Sequence, residues 1–329
     1  MEDHVAVIGA GSWGTAMASL LAANAPTTLW ARSGELAASI SATHENERYL
    51  PGIALCGSLK ATADLHEALT GATTIFWAVP SHGTRAVLDH ARPAIADDAL
   101  MVSLCKGVET ATLLTMTQVM NELVPQAQVA VVTGPNLAGE IARGTPAACV
   151  VACADAKRAV GVQGLVHAPT FRAYTSSDIV GCEVAGATKN VIALAAGIVD
   201  GMGMGENARA ALIARGLAEM TRLGVAMGGQ TATMSGLAGV GDLIVTCTSD
   251  KSRNRTVGVA LGEGVELAAI IESMQMVAEG VKSAGPLCER ARQLGVELPI
   301  CEQVAAIVAG STTPSAALAT LMDRPRGAE

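Results

Sequence analysis

The sequence predicts an α/β protein: a doubly wound sheet in the N-terminal half, followed by an all-α C-terminal domain. Three observations predict it. Short β-branched runs alternate with helical segments along the first half, the pattern of a layered α/β domain. The first of those runs ends in a glycine-rich turn, "GAGSWG", that opens a helix. From about residue 183 onward the apolar spacing becomes three and four residues, which is helical.

The elements follow in order. "HVAVIGAG" reads as a strand ending in glycines, and "GTAMASLLAANA" as the helix after it. "TTLWAR", "TTIFWAVPS", "ALMVSLCKG" and "QVAVVTGPN" read as further strands. Several end in small or polar clusters: Gly9 to Ser12, Pro80-Ser81, Lys106-Gly107 and Gly134 to Asn136. Continuous apolar strands joined by helices indicate a parallel sheet covered on both faces. Ligands bind such sheets at the carboxyl ends of the strands, where these clusters fall. A boundary near residues 183 to 186 gives a dinucleotide-binding domain over 1–183 and a helical domain over 184–329. In the latter, "NARAALIARGLAEMTRLGVAMG", "ELAAIIESMQMVAEGV" and "GPLCERARQLGV" are expected to be helical. "LIVTCTS" (243–249) is β-like by propensity, so an isolated strand is an alternative there, and the tail "DRPRGAE" is expected to fray.

Composition removes several function classes. Acidic residues outnumber basic ones, 30 to 22, for a net charge of −8, and aromatics are 2% of the chain. A nucleic-acid partner is disfavoured by both. No run of about 18 or more apolar residues occurs, and "VIALAAGIV" is hemmed in by Lys189 and Asp200, so no membrane span is expected. The N-terminus lacks the cationic start of a signal peptide. The eight cysteines are scattered without the spacing of redox or zinc motifs, so reduced thiols in a cytoplasm and no metal site are expected.

Gly9, Gly11 and Gly14 form G-x-G-x-x-G directly after an apolar strand and at a helix start, the context that gives this weak pattern weight. The glycines allow a tight turn and close backbone approach, and the helix N-terminus favours a pyrophosphate. A nicotinamide dinucleotide is the cofactor this implies. At the end of the second strand an NAD site commonly carries an acidic residue for the ribose hydroxyls. Here Ala31-Arg32-Ser33 stands instead, with Glu35 inside the following turn. Arg32 either pairs with a 2′-phosphate or is a solvated surface arginine; the first reading favours NADP(H), with NAD(H) as a second cofactor.

"GATKNVIALAAGIVDG" (186–201) sets one cation, Lys189, among small and apolar residues. It either snorkels from a helix surface or is held for a purpose. Taken with "NERYLPGI", "AVPS", "KGVE", "GPNLAGEIA", "NARAALIARGLAEMTRLG", "GLAGVGDLIVTCTSDKSRNR" and "VAEGV", this stretch closely resembles NAD(P)-dependent glycerol-3-phosphate dehydrogenases of the bacterial type. These motifs run in order along nearly the whole chain. The resemblance implies a Rossmann domain plus an α-helical substrate domain. It also implies interconversion of dihydroxyacetone phosphate and sn-glycerol 3-phosphate, supplying glycerophospholipid synthesis.

On this resemblance Lys189 falls on the catalytic acid/base. The chemistry agrees, because hydride addition to a ketone builds negative charge on oxygen that must be stabilised and protonated. Burial would bring a lysine's pKa towards neutrality for that task. None of the six histidines sits in a motif suited to the role. Asp242, in "AGVGDL", is either a partner for the Lys189 ammonium or a helix cap. Ser252, Arg253 and Asn254 offer a hydroxyl, a guanidinium and an amide suited to a phosphate, or are an ordinary polar loop. The resemblance places Lys106, Gly134, Asn136, Lys189, Asp242, Ser252, Arg253 and Asn254 on the substrate. It places Gly9, Gly11, Ser12, Trp13, Gly14, Arg32, Lys106, Ala138, Arg253, Val277 and Glu279 on the cofactor, and Tyr49 is added as a residue covering it.

Some positions depart from the family pattern: Asn136 stands for Ser or Thr, Leu137 for Phe, Cys105 for Thr, and Met234-Ser235 for Thr-Phe. These bear on affinity rather than reaction type. Two other readings keep the first domain: a ketopantoate or hydroxyacid reductase, which the "SRN" run disfavours, and a cofactor sensor, which Lys189 and Asp242 disfavour. A helical second domain with apolar faces is expected to pair as a homodimer.

Overall fold

The computed structural model describes residues 4–274 and 278–325. Its contacts divide the chain into two compact units: Met1–Cys105 with Leu114–Glu183, and Lys106–Leu113 with Val184–Glu329. The segment Lys106–Leu113, read in the sequence with the first domain, thus clusters with the second.

In the first unit the strands are β1 (Val5–Ile8), β2 (Thr27–Trp30), β3 (Glu45–Asn46), β4 (Leu50–Ala54) and β5 (Lys60–Thr62). They continue with β6 (Thr74–Trp77), β7 (Leu100–Ser103), β8 (Gln128–Thr133), β9 (Ala147–Cys153) and β10 (Phe171–Ser176). The intervening helices are α1 (Ser12–Ala22), α2 (Gly34–Thr43), α3 (Leu65–Leu69), α4 (Ser81–Ala91), α5 (Met116–Leu123), α6 (Ala138–Ala142) and α7 (Ala156–Leu165). One sheet runs β10-β9-β8-β7-β6-β1-β2-β5, and β3 and β4 form a separate hairpin. The chain steps outward from β1 to β2 and β5, then returns to β6 on the other side of β1. That reversal is the switch point at which doubly wound sheets bind ligands, and β1 leads into the glycine turn.

Side chains alternate across β1: Val5 and Val7 enter one apolar cluster, Ala6 and Ile8 the other. Phe76 and Trp77, adjacent on β6, divide the same way and are fully buried. Each such side chain contributes roughly 1.5–3 kcal/mol of burial. The sheet is not wholly parallel as its strands suggest: β9 pairs antiparallel with β8, and β10 follows β9 in parallel. The connection between β8 and β9 carries only the five-residue α6.

Helix α8 (Ile179–Gly201) carries the division between the units within its first turns. By length and composition it could cross a membrane, but 89% of its apolar window is buried inside the protein, as in a core helix. The second unit continues with α9 (Glu206–Ala226), α10 (Thr231–Met234), a π-helical turn over Leu237–Gly241, α11 (Asp242–Thr248) and α12 (Arg253–Gly262). Then come α13 (Leu267–Ser273), α14 (Glu279–Gln293), α15 (Pro299–Val308) and α16 (Pro314–Met322).

Two sequence expectations change here. "LIVTCTS" is helical, with Asp242, Leu243, Thr246 and Cys247 buried at helical spacing. Its β-branched residues cost only tenths of a kcal/mol each in a helix, less than leaving strand backbone groups without a ladder. "ELAAIIESMQMVAEGV" is not one helix: α13 ends at Ser273 and α14 begins at Glu279. In the tail, Arg326 to Glu329 lie outside the described residues.

Helices α8 and α12 meet backbone to backbone. A Cβ at Gly197 would stand 2.1 Å from the Arg255 carbonyl oxygen, and one at Gly258 would stand 2.2 Å from that of Leu194. This contact fixes the start of α12, and hence Ser252 to Asn254, against the helix that carries Lys189. Gly197→Ala should push the two helices apart and lower the unfolding free energy by about 3 kcal/mol, measured by urea denaturation.

Candidate active site

In the second unit two lysines converge on one carboxylate. Asp242, 1% exposed, accepts from Lys189 Nζ on Oδ1 at 2.5 Å and from Lys106 Nζ on Oδ2 at 2.6 Å. Lys189 Nζ also donates to Thr246 Oγ1 at 2.7 Å. Thr246 Oγ1 in turn donates to the Asp242 carbonyl oxygen at 2.6 Å. Asp242 and Thr246 share one face of α11 because they are four residues apart. Asp242 is the first residue of α11, directly after the π-helical turn; such turns are rare and recur at functional sites.

Lys189 does not snorkel. It is 6% exposed, on a stretch of α8 that is buried all round. Burial is the main cause that lowers its pKa from the ordinary lysine range to about 8, with the Lys106 ammonium pushing the same way and the Asp242 carboxylate opposing both. An amine held there exchanges its proton near neutral pH.

A chain of carboxamides runs beside this cluster. Gly280 N–H donates to Asn254 Oδ1 at 2.9 Å, Asn254 Nδ2 to Asn190 Oδ1 at 2.9 Å, and Asn190 Nδ2 to the Lys106 carbonyl oxygen at 2.8 Å. The Asn254 oxygen is therefore engaged within the protein, and its second Nδ2–H and its backbone N–H are what it can offer a ligand. Ser252 caps α12, its Oγ accepting from Arg255 N–H at 3.3 Å. Arg253, the first residue of α12, is solvent-accessible. Desolvation lowers its pKa, and Glu279, at the start of α14, acts on it in the opposite sense by charge. Arg255 and Arg209 both pair with Asp200, which ties α12 and α9 to the end of α8. Val277 lies outside the described residues.

In the first unit the glycine turn has three distinct glycines. Gly9 has φ +118°, and a Cβ at Gly14 would stand 1.9 Å from the Gly9 carbonyl oxygen, so both are required by geometry. A Cβ at Gly11 would meet nothing within 4 Å, and Gly11 caps α1 without a side-chain hydrogen bond. Trp13 Nε1 is a buried donor with no protein partner. Trp13 and Ala138 pack against the same apolar cluster of Ala16, Leu50 and Ile53. Ser12 Oγ donates to the Tyr49 carbonyl oxygen at 2.8 Å. Arg32 is exposed just beyond β2; Ser33 caps α2, and Glu35 lies in its first turn. Gly134 (φ +129°) and Asn136 follow β8, and both polar atoms of the Asn136 amide are buried without a protein partner. Cys105 donates its thiol to the Val79 carbonyl oxygen at 3.0 Å, a weak version of the hydroxyl bond a Thr would make.

Sequence reasoning missed three residues. Thr246 was hidden by the β-like reading of its segment; a helix there puts it one turn from Asp242. Asn190 lies beside Lys189 in the "KN" pair but was given no role. Asn46, fully buried, bonds to the Ala10 carbonyl oxygen, Thr15 and Tyr49. A cavity of about 1420 Å³ in the second unit lies elsewhere, along α9, α15 and α16.

Residues 4–159 match the family model described as the NAD-dependent glycerol-3-phosphate dehydrogenase N-terminus, and residues 178–319 match that of its C-terminus. The chain belongs to this dehydrogenase family. It is 51% identical over 322 residues to "Glycerol-3-phosphate dehydrogenase [NAD(P)+]" of Streptomyces griseus, covering 97% of this chain and 96% of that one. Among solved structures, glycerol-3-phosphate dehydrogenase from Coxiella burnetii superposes with a TM-score of 0.94 at 36% identity, covering 98% of this chain and 99% of that one. A ketopantoate reductase from Ralstonia eutropha, at 19% identity and a TM-score of 0.62 over 96% and 99% of the two chains, shares the fold alone.

Removing the Asp242 charge takes away the main influence that holds the Lys189 pKa up. In Asp242→Asn the Lys189 amine should titrate below about 8, read as a downward shift in the pH dependence of its competitive acetylation. An unchanged midpoint would refute the electrostatic coupling.

Proposed function

We propose that the protein interconverts dihydroxyacetone phosphate and sn-glycerol 3-phosphate with NAD(P)H, supplying glycerophospholipid synthesis. The observation that carries this reading is the Lys189–Asp242–Lys106 cluster, with Lys189 and Asp242 buried and Lys106 half-buried, in a chain of this dehydrogenase family.

The glycine turn fits a dinucleotide. The open space at Gly11, the unpartnered Trp13 Nε1 and the α1 start without a side-chain cap offer room and donors for a pyrophosphate. By family resemblance, Gly9, Gly11, Ser12, Trp13, Gly14, Ala138, Lys106, Arg253, Val277 and Glu279 are proposed as cofactor contacts, with Tyr49 added to them. Arg32 favours NADP(H) by pairing with the 2′-phosphate, while NAD(H) is also accepted. When bound, the reduced nicotinamide supplies the hydride.

Lys189 gives its Nζ proton to the ketone oxygen during reduction and takes it back during oxidation. Asp242 and Thr246 hold the amine in place. Lys106 adds positive charge where the oxygen becomes negative. Arg253, the Ser252 hydroxyl and the first N–H groups of α12 suit the phosphate, with Asn254 contributing its remaining N–H. Gly134 and the unpartnered Asn136 amide supply further polar contacts to the substrate.

We further propose a cytoplasmic homodimer. All eight cysteines are free, which agrees with a reducing compartment. The apolar groove along α9, with Val225 and Met322 exposed, offers a face for pairing.

The first test is loss of reduced-nicotinamide absorbance with dihydroxyacetone phosphate, run with NADPH and NADH in parallel. Lys189→Ala should lower kcat by about a thousandfold with cofactor binding nearly intact; normal turnover would remove Lys189 from the mechanism. Reduction by the unaltered enzyme should decline as pH rises through about 8, and oxidation should gain over the same range, since the two directions need opposite protonation states of Lys189. Arg32→Ala should cut the NADPH-to-NADH rate ratio by roughly tenfold; an unchanged ratio would make Arg32 a surface residue only.

A further inference from the structure

We infer that Asn46 is a positioning residue for the cofactor: it sets the direction in which the glycine turn presents its backbone donor. The inference rests on the proposed dinucleotide site and goes beyond it, since Asn46 touches neither cofactor nor substrate in that reading.

Asn46 is 0% exposed, and its carboxamide is used on three sides. Nδ2 donates to the Ala10 carbonyl oxygen at 3.1 Å and to Thr15 Oγ1 at 2.8 Å, while Oδ1 accepts from Tyr49 N–H at 3.1 Å. The first contact is the informative one. Ala10 and Gly11 share a peptide plane, and in a trans peptide the carbonyl and the following N–H point in opposite directions. Among the described residues none of the peptide bonds is cis. Anchoring the Ala10 oxygen on Asn46 therefore aims Gly11 N–H away from Asn46. Gly11 is also the glycine where a side chain would meet nothing within 4 Å, and no protein acceptor for its N–H is found among the described residues.

The other two contacts extend the same effect. The bond to Thr15 ties Asn46 to the first turn of α1, so the turn and the helix start keep a fixed relation. The bond to Tyr49 N–H, with Ser12 Oγ donating to the Tyr49 carbonyl oxygen, fastens both polar groups of the Tyr49 backbone. One buried amide thus orients the turn and secures the segment proposed to cover the cofactor. Such preorganisation raises affinity by removing ordering that binding would otherwise require. The common part of NADH and NADPH is what it serves, so both should be affected alike.

The test is direct titration of NADH and NADPH by quenching of tryptophan fluorescence, together with steady-state kinetics, for Asn46→Asp and Asn46→Ser. Asn46→Asp keeps the shape but replaces the donor to Ala10 by a carboxylate that repels both that carbonyl and an incoming pyrophosphate. Binding of both cofactors should weaken at least tenfold, with kcat at saturating cofactor and KM for the ketone within twofold of the unaltered enzyme. Asn46→Ser, which keeps a donor of shorter reach, should show the same split at about fivefold, and it carries the test alone should Asn46→Asp not fold. Unchanged cofactor affinity in a folded variant would overturn the inference. So would a parallel fall of kcat, both affinities and thermal stability, which would mark a structural role only. The two proposals fail separately: an unaltered enzyme that binds NAD(P)H without reducing dihydroxyacetone phosphate ends the functional reading and leaves Asn46 testable by binding.

Discussion

The second unit is organised around one carboxylate that serves two ammonium groups. Taking a charge out of water costs several kcal/mol, and only close pairing and hydrogen bonds offset it. Asp242 has both, with one oxygen for Lys189 and the other for Lys106. The balance is deliberately incomplete in charge: two cations share one anion, so the site carries a net positive charge that an anionic substrate or a developing oxyanion would match. The same imbalance, with burial, keeps the Lys189 pKa near 8 rather than in the ordinary lysine range. A fully neutralised pair would bind its proton too tightly to pass it on.

Holding three charges at hydrogen-bond distance requires backbone that does not drift. The close approach of Gly197 and Gly258 lets α8 and α12 pack with no side chain between them. Glycine in a helix interior costs roughly 0.5–1 kcal/mol each, and packing density at the contact offsets it. Asp242 and Thr246, one turn apart on α11, then present one face to Lys189.

What the sequence made legible was local. Gly9, Gly11 and Gly14 were readable because their roles depend on a strand before and a helix after, both visible in the same dozen residues. Lys189 stood out as a lone cation in an apolar run. Its partners were harder to see: Thr246 depends on the segment being helical, and β-branched propensity pointed the other way. Asn46 depends on contacts 31 and 36 residues distant in sequence, which no local pattern encodes. The reversed pair β9 and β10 was missed because strand composition says nothing of direction. Asn254 was given a ligand role by resemblance, whereas much of its amide is engaged within the protein.

The recurrence of carboxamides beside the charged groups has a physical reason. Asn46 in the first unit, and Asn190 with Asn254 in the second, each donate or relay a hydrogen bond to a backbone carbonyl next to a candidate ligand position. A carboxamide donates and accepts without carrying charge. A carboxylate in place of Asn190 would add a second anion near Lys106 and Lys189, raise the pKa of the amine and cancel the net positive charge that the substrate is meant to meet. In place of Asn46 it would set an anion beside a site suited to a pyrophosphate. A serine would be neutral but too short to bridge the same groups. Neutral relays fix geometry and leave the electrostatics to Asp242, Lys106 and Lys189, so position and charge are set by different residues.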